Sequence, residues 1–185
     1  MKQKLKLPAI ILFVLFLLFV VVGLFLPGET RVSRSVVINA EPAGVRPHIT
    51  NFENWLAWMP WNKERDPTIE IKREGPESGV GAIHTWTSKK SGNGKLEIVA
   101  VEGNTSMGYH CWFDGAAIPS LGSFDLESVV GGTKVTWSFT VPWGHNPFMR
   151  YIGLMMSGMI EKDFDLGLAK LKEVVEIANE VPRSG

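Results

Sequence analysis

Four histidines, one cysteine and two tyrosines are the side chains of this 185-residue chain best suited to proton transfer, nucleophilic attack or metal binding. Their spacing narrows that chemistry. His48, His84, His110 and His145 are far apart, and none pairs with another at the interval by which a helix offers two imidazoles to one metal. Cys111 has no second cysteine, so neither an internal disulfide nor a closed cysteine-based zinc site can form within the chain. His110 precedes it, but adjacent strand residues point to opposite faces, which spoils a Cys–His pair. No G-x-S-x-G turn presents a nucleophilic serine. The glycine-rich stretches Gly75–Gly81 and Ser91–Gly94 lack the GK[ST] ending of a phosphate loop. Tyr109 and His84 are left as proton-transfer candidates, with Asp114 and Asp125 the strand-borne carboxylates. The residues carry no positive signal for catalysis, for a cofactor or for a metal.

The composition points elsewhere. Nineteen basic residues balance nineteen acidic ones, so no overall field recruits nucleic acid. Seven Trp, ten Phe and seven Met against two Tyr indicate a chain whose working chemistry is apolar contact. An apolar fraction of 45% with 21% charged residues suits one folded domain.

From Leu7 to Leu26 no side chain is polar: LPAIILFVLFLLFVVVGLFL. As a helix this stretch spans roughly 30 Å, the thickness of a bilayer core. Pro8 falls in its first turn and Pro27-Gly28 ends it. A cleaved signal peptide would carry a shorter apolar run and an A-x-A-like site, and no cysteine follows for lipidation. The expectation is therefore an uncleaved anchor over residues 1–28, crossing the membrane through residues 7–26. Lys2, Lys4 and Lys6 precede the run without an acid, whereas Glu29, Arg31 and Arg34 follow it. The positive-inside bias then keeps the N-terminus in the cytoplasm and sends the domain across, with a bacterial inner membrane as the default. Without its three leading lysines the chain is mildly acidic, so the helix and not a basic surface holds it at the membrane.

Residues 29–185 read as one domain. Arg31–Asn39 is strand-like, and Pro42 opens a helix carrying Val45, His48, Ile49 and Phe52 at helical spacing. Asn54–Trp61 is a short apolar segment broken by Pro60. Six alternating runs follow: Thr68–Arg73, Gly81–Ser88, Lys95–Val101, Ser106–Phe113, Gly122–Val129 and Lys134–Val141. Asn93-Gly94, Gly103-Asn104 and Gly131-Gly132 supply turn chemistry, so the runs predict an antiparallel meander. From Phe148 to Val175 apolar residues recur every three or four positions, predicting one long amphipathic helix.

Two stretches, RSVVINAEPAGVRPHITNFENWLAWMPW and NPFMRYIGLMMSGMIEKDFDLGLAKLKEVVE, resemble the START-like (SRPBCC, helix-grip) superfamily in its polyketide cyclase/dehydrase and lipid transport branch. The resemblance covers nearly all of 30–180. It implies an α+β fold, a curved antiparallel sheet wrapped around the long C-terminal helix, here preceded by one transmembrane helix. It also implies a ligand seated between sheet and helix, and function must then be argued from that site.

Strand alternation and helix period nominate its wall. Met107, Tyr109 and Phe113 share one strand face, as do Trp137 and Phe139; the Gly81–Ser88 run is ambiguous, Ile83, Thr85 and Thr87 opposing His84, Trp86 and Ser88, and Trp86 is the wall candidate from it. Ile152, Met155, Met156 and Met159 on the long helix add an adaptable thioether surface. Trp55, Trp58 and Trp61 recur every third residue, as a plug at the sheet's open end or as a gate. The expected partner is a hydrophobic small molecule or lipid. A protein-interaction module with a filled core is the alternative, and a cyclase or dehydratase the third reading.

Overall fold

A computed structural model describes residues 6–180; Lys2, Lys4 and the side chain of Lys6, which set the expected orientation, lie outside the described residues. The chain runs α1 (Lys6–Phe25), β1 (Glu29–Ile38), α2 (Pro42–Thr50), α3 (Phe52–Trp55), β2 (Glu70–Glu74), β3 (Ile83–Thr87), β4 (Gly94–Glu102), β5 (Ser106–Phe113), β6 (Ser120–Val129), β7 (Gly132–Pro142) and α4 (Pro147–Glu180). The strands form one seven-stranded antiparallel sheet in the order β1-β7-β6-β5-β4-β3-β2. β2 to β7 are a meander of neighbours, and β1 closes the sheet beside β7. α1 is long and apolar enough to cross a membrane.

Local chemistry explains the joints. Gly131 and Gly132 take φ of 92° and 130° in the β6–β7 turn, a region that side chains disfavour. The β3–β4 connection departs from the expected Asn93-Gly94 turn. Gly94 is already the first residue of β4, the turn spans the residues before it, and Gly92 carries the positive φ of 72°. Asn93 is held instead by side-chain bonds, its Oδ1 accepting from Ser88 N and its Nδ2 donating to Asp114 Oδ2. The apolar segment after α2 forms only a single helical turn, α3, capped by Asn51 Oδ1 accepting from Glu53 N.

α4 is a 34-residue helix laid along β1, start to start and end to end. Thr30 Oγ1 donates to Gly153 O, Arg34 pairs with Glu161, Lys172 Nζ donates to Val37 O, and Asn39 N donates to Glu176 Oε1. Its buried stripe is Phe164, Gly167, Leu168, Leu171 and Val175, so packing is concentrated in the C-terminal half. Gly153 lets the other half approach, since a Cβ there would collide with the Trp143 indole.

Candidate functional site: the concave face and its open end

The strand register resolves the concave face into rows of side chains. One row runs Val101, Met107, Phe124, Trp137 and Arg34; the next runs Ile98, Tyr109, Gly122, Phe139 and Val32. Beyond them lie His84, Leu96, Cys111 and Ser120, and then Ile71, Trp86, Gly94 and Phe113 at the rim. The Ile83–Thr87 strand, whose facing the alternation left open, turns His84 and Trp86 inward. The rim row stands at the end of the sheet where β7 finishes and α4 begins.

The middle rows are packed solid. The Trp137 indole stacks on Phe164 with ring centroids 3.7 Å apart, and Phe124 stacks behind it at 5.0 Å. Trp137 Nε1 donates to Tyr109 Oη at 2.9 Å, so the two polar tips satisfy one another. A Cβ on Gly122 would run into the Tyr109 ring, so the glycine is what lets that ring lie flat on the sheet. Trp55 and Trp58 close this region from the α2–α3 side. Their Nε1 atoms donate to Ile49 O and His48 O at 2.9 and 3.0 Å, and both indoles are fully buried. These two tryptophans are fixed as a plug.

The nominated wall therefore divides. Met107, Tyr109, Trp137 and Phe139 are buried core residues that fill the space expected to be hollow. Each ring already has ring neighbours on the concave side, which leaves no room for a ligand among them. Trp86, Phe113, Ile152, Met155, Met156 and Met159 lie around the open end. Trp86 and Phe113 meet edge to face at 6.0 Å, the Trp86 ring resting over Gly94. Phe113 is 45% exposed, Met155 78% and Met159 65%. Trp61 is not held in the plug: it is 41% exposed and edge-on to Trp137 at 6.2 Å, beside the packed middle rows.

The side of α4 facing this end is set by an ion pair. Arg65, in the loop after α3, meets Asp163 at 2.6 Å. Ile152, Met156, Met159 and Asp163 recur at helical spacing and share one side of the helix. Met156 and Met159 thus continue the loop-facing side of α4 toward its start. Met155 and Met159 are exposed there, and Met156 is half-buried.

Asp66, which the sequence reading passed over, pins the loop to the β3–β4 hairpin. Its carboxylate accepts from Thr68 N, Thr68 Oγ1, Ser88 Oγ and Ser91 Oγ, and the hydroxyls of Ser88, Ser91 and Thr68 hold its pKa well below the usual carboxylate range. Its local signal was Asp66-Pro-Thr68, an Asx turn in which an aspartate bonds the backbone two residues on. His84 is buried, its Nδ1 lacks a hydrogen-bond partner, and burial with the nearby Arg73 charge lowers its pKa to about 4. Burial pushes the Cys111 thiol up to about 12 and the Tyr109 phenol well above its usual range, so both keep their protons.

The proton-transfer candidates do not converge. Tyr109 is inside, whereas Asp114 follows β5 five residues on, about 16 Å away at strand rise, bonded to Asn93. Asp125 lies exposed on the outer face. Among the described residues no cluster of His, Cys, Asp and Glu gathers as a metal site. Two concavities lie elsewhere: about 160 Å³ between Asn51–Glu53 and Arg73–Glu77, and about 460 Å³ open along Ala9, Leu12, Phe13 and Phe16 of α1.

Residues 29–176 match the family model described as polyketide cyclase / dehydrase and lipid transport. The chain belongs to that family. It is a START-like, SRPBCC domain of the ligand-binding kind. No curated protein matches the sequence. Solved structures of the same fold include a Staphylococcus aureus protein of unknown function, SA2116, at 11% identity, TM-score 0.63, covering 82% of this chain and 96% of that one. Protein CV1439 from Chromobacterium violaceum is 18% identical, with TM-score 0.52 over 81% of this chain and 98% of its own. The Aha1 dimer from Colwellia psychrerythraea is 17% identical, with TM-score 0.54 over 80% and 97%. At such identities the likeness concerns the fold.

Proposed function

We propose that residues 1–28 anchor the chain in a membrane, a bacterial inner membrane by default, with the N-terminus cytoplasmic. Residues 29–185 then form a ligand-binding domain on the far side. The domain holds a hydrophobic small molecule or lipid at the open end of its concave face, against Trp86, Phe113, Ile152, Met155, Met156 and Met159. Trp61, the exposed member of the tryptophan trio, is the candidate gate, and the buried middle rows are the floor.

One observation supports this reading above others: Phe113 of β5 and Ile152, Met155 and Met159 of α4 remain exposed, with Trp86 of β3 edge-on to Phe113. Covering about 200 Å² of such surface stabilises a complex by roughly 5 kcal/mol before ordering costs are subtracted. Thioether and indole walls suit an irregular alkyl or ring system better than a polar one. The packed middle rows favour a second reading, in which the same surface receives an apolar segment of another protein.

Titrating dansyl-labelled undecanoic acid into the full chain in nanodiscs, with empty nanodiscs as background, separates the two. The ligand reading expects saturable energy transfer from tryptophan that weakens in Phe113→Asp. Transfer no greater than in empty nanodiscs contradicts it and leaves the protein-partner reading.

A further inference from the structure

We infer that the first three turns of α4 form a second membrane-embedded element, seated in the outer half of the bilayer beside α1, so that the mouth opens onto lipid and not onto water. The inference rests on the anchor reading and adds a depth to it.

The contact between the two helices sets that depth. Tyr151 stacks on Phe19 with centroids 4.2 Å apart, and its hydroxyl donates to Phe19 O at 2.8 Å. Phe148 packs against both Phe19 and Phe16, at 5.6 and 6.5 Å. Gly23 admits the contact, since a Cβ there would press on Pro147 and Tyr151. At roughly 1.5 Å per residue, Phe19 lies about 10 Å and Phe16 about 15 Å along the axis from Leu26. A spanning α1 occupies a core of about 30 Å, so its partners on α4 sit within the outer leaflet.

The composition of α4 changes where this geometry requires. Between Pro147 and Ile160 the only charged residue is Arg150; from Glu161 onward acids and lysines crowd the helix. Arg150 does not face lipid unpaired. Its Nη1 donates to Leu24 O and Leu26 O, and its Nε donates to Gly144 O, so it caps the carbonyl end of α1. The neighbouring Phe148, Met149, Ile152, Leu154 and Met155 are exposed. An apolar helix face with no polar residue is stable against hydrocarbon, and this one is continuous with the α1 contact.

The test places a nitrobenzoxadiazole probe on single introduced cysteines in the full chain, reconstituted in phosphatidylcholine nanodiscs that carry lipids doxyl-labelled in the acyl chain. Cys111 is buried with a raised pKa and stays unlabelled in the native fold. Leu15→Cys reports the anchor, Met155→Cys the start of α4, and Lys170→Cys its second half. The inference expects Leu15→Cys and Met155→Cys to be quenched severalfold more than Lys170→Cys. Quenching at Leu15→Cys with Met155→Cys no more quenched than Lys170→Cys overturns the embedded element and leaves the anchor standing. Absence of quenching at Leu15→Cys overturns the anchor reading, and the inference with it.

Discussion

Trp137 of β7 and Phe164 of α4 stack with their planes within 7° of parallel, and this pair joins the helix to the sheet at the centre of the concave face. Gly167, one turn on, is in contact with the same indole, so helix and sheet meet closely there. Phe164→Ala should therefore cost about 3–5 kcal/mol, read as a lowered midpoint in chemical denaturation of the full chain. A loss below about 1 kcal/mol would mean that the helix is held mainly by its surface pairs with β1.

The cradle beneath Tyr109 makes the opposite kind of prediction. Adding one methyl at Gly122 pushes the phenol off the sheet and away from Trp137 Nε1. Gly122→Ala should destabilise by about 1–3 kcal/mol through overpacking and shift the tryptophan emission. An unchanged spectrum would show that the ring has another place to lie.

His84 sets a pH dependence whose sign follows from its surroundings. Its folded pKa of about 4 lies below the ordinary 6.5, so the folded chain holds this imidazole neutral while the unfolded chain takes up a proton first. Its contribution is fully present above pH 6.5 and is lost as the pH falls toward 4. It amounts to at most about 3 kcal/mol across that window. His84→Leu should flatten the decline between pH 7 and pH 5 in thermal melts; an equally steep decline would assign it to other groups.

Asp66 acts in a lower window. Its folded pKa is depressed by the serine and threonine hydroxyls, so its contribution is present above the ordinary carboxylate value of 3.8 and is lost as the pH falls below that toward the folded value. Asp66→Asn should raise hydrogen exchange in the loop after α3 and in residues 88–93 at neutral pH, with little change in α4. Uniform exchange across the chain would show that the node supports the whole fold instead.

Much of this architecture was legible in the sequence because burial on a sheet has a period of two. The run KVTWSFTV placed Val135, Trp137, Phe139 and Val141 on one face, and all four are buried. What alternation does not encode is whether anything stands opposite a face. Tyr109 meets Trp55 across the concave side and Met107 is buried, whereas Met155 and Met159 stay largely exposed, yet the two sets look alike as apolar residues at regular spacing. The β3–β4 turn was misplaced for a related reason. Asn93-Gly94 is a strong local turn signal, but Gly94 pairs with Trp86 as the first residue of β4, where its missing side chain leaves room for the Trp86 indole. Arg150 was invisible in the sequence because its partners are backbone carbonyls at the end of α1, more than a hundred residues away.

The most direct measurement of a ligand seat at the open end uses the full chain in nanodiscs doped with a diazirine-bearing fatty acid, irradiated, digested and mapped by mass spectrometry. The account predicts adducts on Trp86 and Phe113 as well as on Met156 and Met159, reduced when unlabelled fatty acid competes. Adducts confined to α1 and the outward residues of α4, with the β3 and β5 rim unmarked, would contradict it.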